Sequence, residues 1–218
     1  EKAETSVKGL YSAGDMAAVP HNYMLGAFVY GWFAGTNSAE YIATVADSEL
    51  NQDEIEAEKA RIFAPMKRPQ GLSAEQVEYK LRRMVNDYLQ PPKTRQKIDI
   101  ALKRFEEIKG DIEQINATHP HELMRAAEVS VIRDCAEMAA RASLFRTESR
   151  WGLYHYRADF PAKNDQDWFC HAHLKKDKYG NMFSFKKPVE PYLIPIDEQE
   201  ANSYNLLRIQ KKLVADPT

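Results

Sequence analysis

Ser73-Ala74-Glu75-Gln76-Val77-Glu78-Tyr79-Lys80-Leu81-Arg82-Arg83-Met84-Val85-Asn86-Asp87-Tyr88-Leu89-Gln90-Pro91-Pro92 decides the fold class. Ser73 followed by Gln76 three residues later is a capping box, so a helix opens here. Val77, Leu81, Met84, Val85 and Leu89 recur at helical spacing, and the Pro91-Pro92 pair ends the run. Two more stripes follow. Ile98, Leu102, Phe105, Ile108 and Ile112 mark a second helix. In the third, Thr118 is the expected cap and Pro120 sits in the first turn, with Leu123, Met124, Ala127, Val131, Cys135, Met138 and Ala142 as the expected buried face. Three consecutive amphipathic helices imply an antiparallel helical bundle, so the chain is mainly α.

Upstream, residues 8–35 are rich in Gly, Ala and aromatics, with Asp15 as their one carboxylate. This reads as a buried strand, Gly9-Leu10-Tyr11-Ser12-Ala13-Gly14, then a helix from about Leu25 to about Val45. A polar stretch from Asp47 to Glu58 leads to a loop bracketed by Pro65 and Pro69. Downstream, residues 146–167 are aromatic, charged and irregular. Trp168 to Leu174 alternates with period two, a turn follows at Asp177-Lys178-Tyr179-Gly180-Asn181, and Met182 to Lys186 is the return strand of a β-hairpin. The tail, with Pro188, Pro191 and Pro195, is expected to be irregular. The expected division is 1–46, a strand-helix remnant of an α/β domain; 47–72, a linker; 73–165, the helical domain; and 166–218, hairpin and tail. Glu1 is no initiator, and the early strand has no earlier strand to pair with, so its partner elements are expected outside this chain.

The 30 basic and 32 acidic residues leave a net charge of -2, which gives nucleic acid no whole-chain attraction. No apolar run approaches the length of a membrane span, and the chain reads as soluble and cytoplasmic. Cys135 and Cys170 lack metal-site or disulfide spacing, and the pairs His119/His121 and His171/His173 find no third cluster, so no metal is expected. No G-x-G-x-x-G, P-loop or G-x-S-x-G motif is present.

Two segments carry chemistry. In Gly9-Leu10-Tyr11-Ser12-Ala13-Gly14-Asp15, followed by Pro20-His21-Asn22-Tyr23-Met24-Leu25-Gly26-Ala27, an acidic residue stands next to glycine ahead of a helix N-terminus. A carboxylate there accepts hydrogen bonds from ligand hydroxyls, and helix N–H groups face an electron-rich acceptor. The alternative is an ordinary βα turn with a capping Asp. The second segment is Arg146-Thr147-Glu148-Ser149-Arg150-Trp151-Gly152-Leu153-Tyr154-His155-Tyr156-Arg157-Ala158-Asp159-Phe160-Pro161, with Asp165-Gln166-Asp167-Trp168 just after it. Its arginines pair with Glu148 and Asp159 in one reading and meet an anionic ligand in the other.

The first segment resembles the last FAD-contacting motif of the succinate dehydrogenase and fumarate reductase flavoprotein superfamily, a G-L-Y/F-A/S-A/C-G-D/E strand before a histidine-containing loop and a helix aimed at the flavin. The second is similar to the superfamily's pattern E-S/T-R, then R-x-D-Y/F-P, then D-D-x-N/Q-W. By this resemblance Gly14 and Asp15 lie at the FAD ribityl chain, Leu25, Gly26 and Ala27 present N–H groups to the N1/C2 carbonyl edge of the isoalloxazine, and His21 lies near the flavin. His21, Arg150, His155 and Arg157 are the candidate catalytic residues, the last three as cations that stabilise charge on a reduced flavin or bind an anionic substrate. The resemblance implies an FAD-dependent oxidoreductase subunit whose N-terminal FAD-binding part lies outside this chain. It also implies an iron–sulfur subunit as partner, an inactive isolated chain and an open surface through which copies could associate.

Within the superfamily, succinate dehydrogenases carry H-G-A-N-R-L-G. Here the stretch is His21-Asn22-Tyr23-Met24-Leu25-Gly26, without the dicarboxylate-binding arginine. The histidine-to-glycine spacing, Arg150-Trp151 and Tyr154-His155-Tyr156 before Arg157 look more like the alpha subunit of adenylylsulfate reductase. That family's loop is H-K-F-S-S-G-S, from which Asn22 and Met24-Leu25 depart. A succinate- or fumarate-type flavoprotein is one rival; a non-enzymatic helical interaction module is another, and it requires residues 10–35 to pack into a closed core.

Overall fold

The structure is a computed structural model and describes residues 2–17, 23–47, 49–150, 152 and 154–189. It contains six α-helices and one two-stranded antiparallel sheet among these residues: α1 (Met24–Ile42), α2 (Gln52–Lys67), α3 (Ala74–Leu89), α4 (Arg95–Glu113), α5 (Pro120–Phe145), α6 (Asp165–Trp168), β1 (Cys170–Lys176) and β2 (Met182–Pro188). None of the helices is long and apolar enough to cross a membrane. The chain forms two compact units, 1–57 and 58–218.

In the second unit, α3, α4 and α5 pack pairwise around one core, as three successive stripes require. The Ser73 hydroxyl accepts from the Gln76 N–H and starts α3, and the Thr94 hydroxyl accepts from the Lys97 N–H and starts α4. Leu81, Ile98, Phe105, Ile108 and Val129 are fully buried at the centre. Each such side chain contributes roughly 1.5–3 kcal/mol by leaving water. Gly71 lets the chain entering α3 lie against the end of α4, since a Cβ there would meet the Gln114 carbonyl oxygen at 2.2 Å. Leu72 exchanges backbone hydrogen bonds with Gln114 and Asn116 at that seam.

Helix α5 departs from the expected pattern. Its cap is the His119 ring, which accepts from the Glu122 N–H, while Thr118 donates from N–H and hydroxyl to the Glu122 carboxylate. Thr118 therefore bonds the helix from one position further out. The buried line runs through Ala126, Val129, Arg133, Ala140 and Ser143, and the expected Met124, Val131, Cys135 and Met138 are exposed. The face is turned because α4 approaches a row of small residues, and because Arg133 passes inward to donate to the Phe105 carbonyl while pairing with Asp134 and Glu137. Hydropathy counts an arginine as outside; the guanidinium enters because its donors are met.

The stretch expected as a linker contains α2, which Asn51 caps by accepting from the N–H groups of Asp53 and Glu54. This helix buries no residue, so apolar periodicity could not reveal it. The expected strand over residues 9–14 is not a strand. Tyr11 makes one bridge to Glu4, the Thr5 N–H donates to Leu10, and Gly14–Met16 is a 3-10 turn. A lone strand leaves its backbone groups unmatched, and residues 3–5 fold back to satisfy some of them. The hairpin is present with Cys170 opposite Pro188 and Lys176 opposite Met182. It starts two residues later than expected because Trp168 closes α6, and it takes in Pro188, tolerated at a strand's end. Asp177 holds the turn by accepting from the N–H groups of Tyr179 and Asn181. The expected tail prolines Pro191 and Pro195 lie outside the described residues.

Phe105→Ala in this core lowers unfolding free energy by about 3–5 kcal/mol, and Val131→Ala on the outer face of α5 changes it by less than about 1 kcal/mol. Urea denaturation followed by circular dichroism measures both; equal costs would restore the sequence-derived face.

Candidate functional site

The first candidate region lies in unit 1–57. Gly14 is buried with φ at +67°, and a Cβ added there would stand 3.5 Å from the Ala27 Cβ, so the 3-10 turn rests directly on the first turn of α1. This brings four of the five described cofactor candidates, Gly14, Asp15, Gly26 and Ala27, to one place, with Leu25 on the same helical turn. Asp15 is exposed and Gly26 is buried. The first helical hydrogen bond runs from the Ala27 N–H to the Tyr23 carbonyl, and Tyr23 supplies no side-chain cap. An uncapped N-terminus carries partial positive charge and directs N–H groups outward. The apolar face beside it is open: Leu25, Phe28 and Trp32 are 70%, 71% and 66% exposed. His21 lies outside the described residues.

The second region lies in unit 58–218 and is built on arginines. Glu148 is fully buried, and its carboxylate accepts from Arg146 Nη1 at 2.6 Å, Arg150 Nε at 2.7 Å and Nη2 at 3.0 Å, and the Asn164 N–H at 2.8 Å. Burial pushes its pKa up, but these four donors outweigh burial and the net direction is down. Arg150 also reaches Asp165 at 2.8 Å, and Arg146 donates to the carbonyls of Trp168 and Cys170 where the hairpin begins.

Arg157, likewise fully buried, grips Asp159 with Nε at 2.8 Å and Nη2 at 2.7 Å, while its Nη1 meets the carbonyls of Ser143, Leu144 and Arg146 at the end of α5. The Asp159 carboxylate meanwhile accepts from the Arg95 N–H in the first turn of α4. The Arg157 hydrogen bonds, foremost, lower the Asp159 pKa to about 2.

Of the two readings of this segment, the geometry realises the ion pairs: Arg150 with Glu148 and Arg157 with Asp159. Arg150 thus commits Nε and Nη2, and Arg157 all three of its nitrogens, to groups of the protein itself. His155 is partly buried, its Nε2 has no hydrogen-bond partner, and burial first, then the nearby Lys93 charge, lowers its pKa and favours the neutral ring. Arg146, Ser149 and Lys93 belong to this assembly and escaped the sequence reading. Ser149 accepts from the Arg157 N–H and donates to the Phe160 carbonyl, bonds no spacing rule foretells.

The last helix of the bundle is thus clamped by arginine–carboxylate pairs to an irregular segment and the hairpin. The chain belongs to the fumarate reductase flavoprotein C-terminal family, which it matches over residues 78–202. It is 25% identical over 186 residues to an FAD-dependent oxidoreductase of Methanocaldococcus jannaschii and 25% identical over 197 residues to the succinate dehydrogenase flavoprotein subunit of Rickettsia bellii. These alignments cover 82% and 84% of this chain but 33% of each relative, so the chain spans about a third of their length. Among solved structures, adenylylsulfate reductase of Archaeoglobus fulgidus superposes with a TM-score of 0.82 at 28% identity, over 89% of this chain and 34% of that one. E. coli quinol fumarate reductase shares the fold, with a TM-score of 0.74 at 18% identity over 91% of this chain and 36% of the other.

Asp159→Asn leaves Arg157 buried without a counter-charge and lowers stability at pH 7 by about 3–5 kcal/mol in urea unfolding. An aspartate whose folded pKa is about 2 lies below its unfolded value of about 3.9. Its contribution is therefore complete above about pH 4 and lost as pH falls toward about 2. Acid unfolding should accordingly be less steep in that window for Asp159→Asn.

Proposed function

We propose that this chain supplies one edge of an FAD site in a flavin-dependent oxidoreductase subunit of the adenylylsulfate reductase alpha type, which moves electrons between FAD and an anionic substrate. The rest of the site comes from the N-terminal FAD-binding part of the same protein, an iron–sulfur subunit is the redox partner, and the isolated chain is inactive. The observation that carries this reading is the open, apolar start of α1, which Tyr23 does not cap with its side chain, against the Gly14–Asp15 turn. A closed interaction module would seal that stretch, and here Leu10, Leu25, Phe28 and Trp32 face outward.

The residues present fit a flavin edge. Asp15, exposed beside the helix start, accepts from ribityl hydroxyls, and Gly14 permits the close approach of turn and helix that places it there. The N–H groups of Leu25 and Gly26 and the positive end of α1 stabilise negative charge at the N1/C2 carbonyl edge, while the Ala27 N–H is engaged by the Tyr23 carbonyl and holds that turn. FAD, when bound, supplies the two-electron chemistry. Arg150 and Arg157 also hold the helical domain's own segment, in which His155 is partly buried with its neutral form favoured. The adenylylsulfate reductase branch is favoured over the succinate and fumarate branch by the missing arginine in residues 21–26 and by the 28% identity to the A. fulgidus enzyme.

Titrating FAD with the 218-residue chain gives no saturable fluorescence quenching at tens of micromolar, whereas Asp15→Ala in the intact parent lowers retained flavin affinity by about tenfold. Micromolar FAD binding by the chain alone, or unchanged flavin affinity in that variant, would contradict the reading.

A further inference from the structure

Between the end of α3 and the middle of α5 lies a cavity of about 280 Å³. Val85, Leu89 and Ala139 are among its apolar walls, Lys93 and Ser143 are polar groups within it, and the exposed Tyr154 stands at its rim. Lys93 is fixed there by its backbone: its N–H donates to the Tyr156 carbonyl at 2.9 Å, and its carbonyl accepts from the Ala158 N–H at 2.8 Å. Its Nζ donates to the Ser143 hydroxyl at 3.1 Å.

This ammonium differs from its neighbours in lacking a counter-charge. Arg133, Arg146, Arg150 and Arg157 each hold a carboxylate, and Lys93 holds none among the described residues. The helix-end carbonyls that would otherwise receive it, those of Ser143, Leu144 and Arg146, already accept from Arg157. An ammonium has three donors, and the Ser143 hydroxyl occupies one. Burial first, and the Arg157 charge second, disfavour its protonated form, a penalty that an incoming anion would remove.

We propose that this cavity binds a small organic carboxylate, its oxygens on Lys93 Nζ and Ser143 Oγ and its apolar body against Val85, Leu89 and Ala139. The volume lies at the small end of ligand pockets and admits a body of about benzoate size. Inorganic anions would leave the apolar walls unmatched. All of these residues belong to the helical domain, so the site stands independently of the flavin edge.

Benzoate and benzamide, titrated into the 218-residue chain at pH 7 and followed by saturation-transfer NMR, test this. Benzoate binds with a Kd below about 1 mM, and benzamide, alike in shape but uncharged, binds at least about tenfold more weakly. Lys93→Met weakens benzoate by about tenfold and removes the difference between the two probes. Ala139→Leu, which fills the cavity and keeps the ammonium, weakens both. Should Lys93→Met fail to fold, as judged by its thermal melt, the benzoate–benzamide comparison and Ala139→Leu decide alone. Equal binding of the two probes, no benzoate binding at about 10 mM, or benzoate binding unchanged in either folded variant would overturn the proposal.

Discussion

The helical domain depends on one buried guanidinium. Arg157 joins three things that the backbone alone would leave apart: the carbonyls at the end of α5, the Asp159 carboxylate, and through Asp159 the N-terminus of α4. Helix ends are where backbone groups go unmatched, and here one end's acceptors and another end's donor meet within a single ion pair. Arginine suits the position because its planar fork serves two carboxylate oxygens and several carbonyls at once, a geometry that a lysine does not offer. Glu148 does the complementary work at the next corner, gathering Arg146, Arg150 and the Asn164 N–H, and through Arg146 the start of the hairpin.

Such buried pairs contribute modestly to net stability, because desolvation takes back much of the attraction, yet each is costly to break on one side. Their effect is on specificity of arrangement. The described residues of 146–164 form no helix or strand, and hydrogen-bonded charges that tolerate few geometries hold them in register against α4 and α5. A segment that carries the family resemblance is therefore held in shape by charges, beside Trp168, over which the Arg146 and Lys186 cations lie.

The sequence disclosed the elements that follow from local rules. Ser73 with Gln76 and the stripe from Val77 to Leu89 located α3, and the alternation before Asp177 located the hairpin, because capping and periodicity act over a few residues. It missed α2, which buries nothing, and it put the buried face of α5 on nearly the opposite side of the helix, because a face of alanines, a serine and an arginine has no hydropathic signature. The strand expected at residues 9–14 needed a partner strand and instead folded against residues 3–5. In the candidate sites, the convergence of Gly14 and Ala27 was legible as motif spacing, and the pairing of the arginines with Glu148 and Asp159 was one of two open alternatives. Lys93 was invisible, since only the tertiary fold shows it facing a cavity without an acid.

The two units differ in how far each is closed by its own residues. Residues 58–218 form a self-contained bundle with its own core, while the unit 1–57 exposes apolar residues beside a helix start that no side chain of Tyr23 caps. On the proposed reading, this start meets a flavin held by the rest of the parent protein. A structure of the intact, flavin-loaded parent measures it directly. The expected result is backbone N–H groups of residues 25 and 26 within about 3 Å of the pyrimidine edge of the isoalloxazine, with the Asp15 carboxylate at the ribityl hydroxyls. An α1 N-terminus buried against protein alone, with the flavin contacted by other segments throughout, would contradict it.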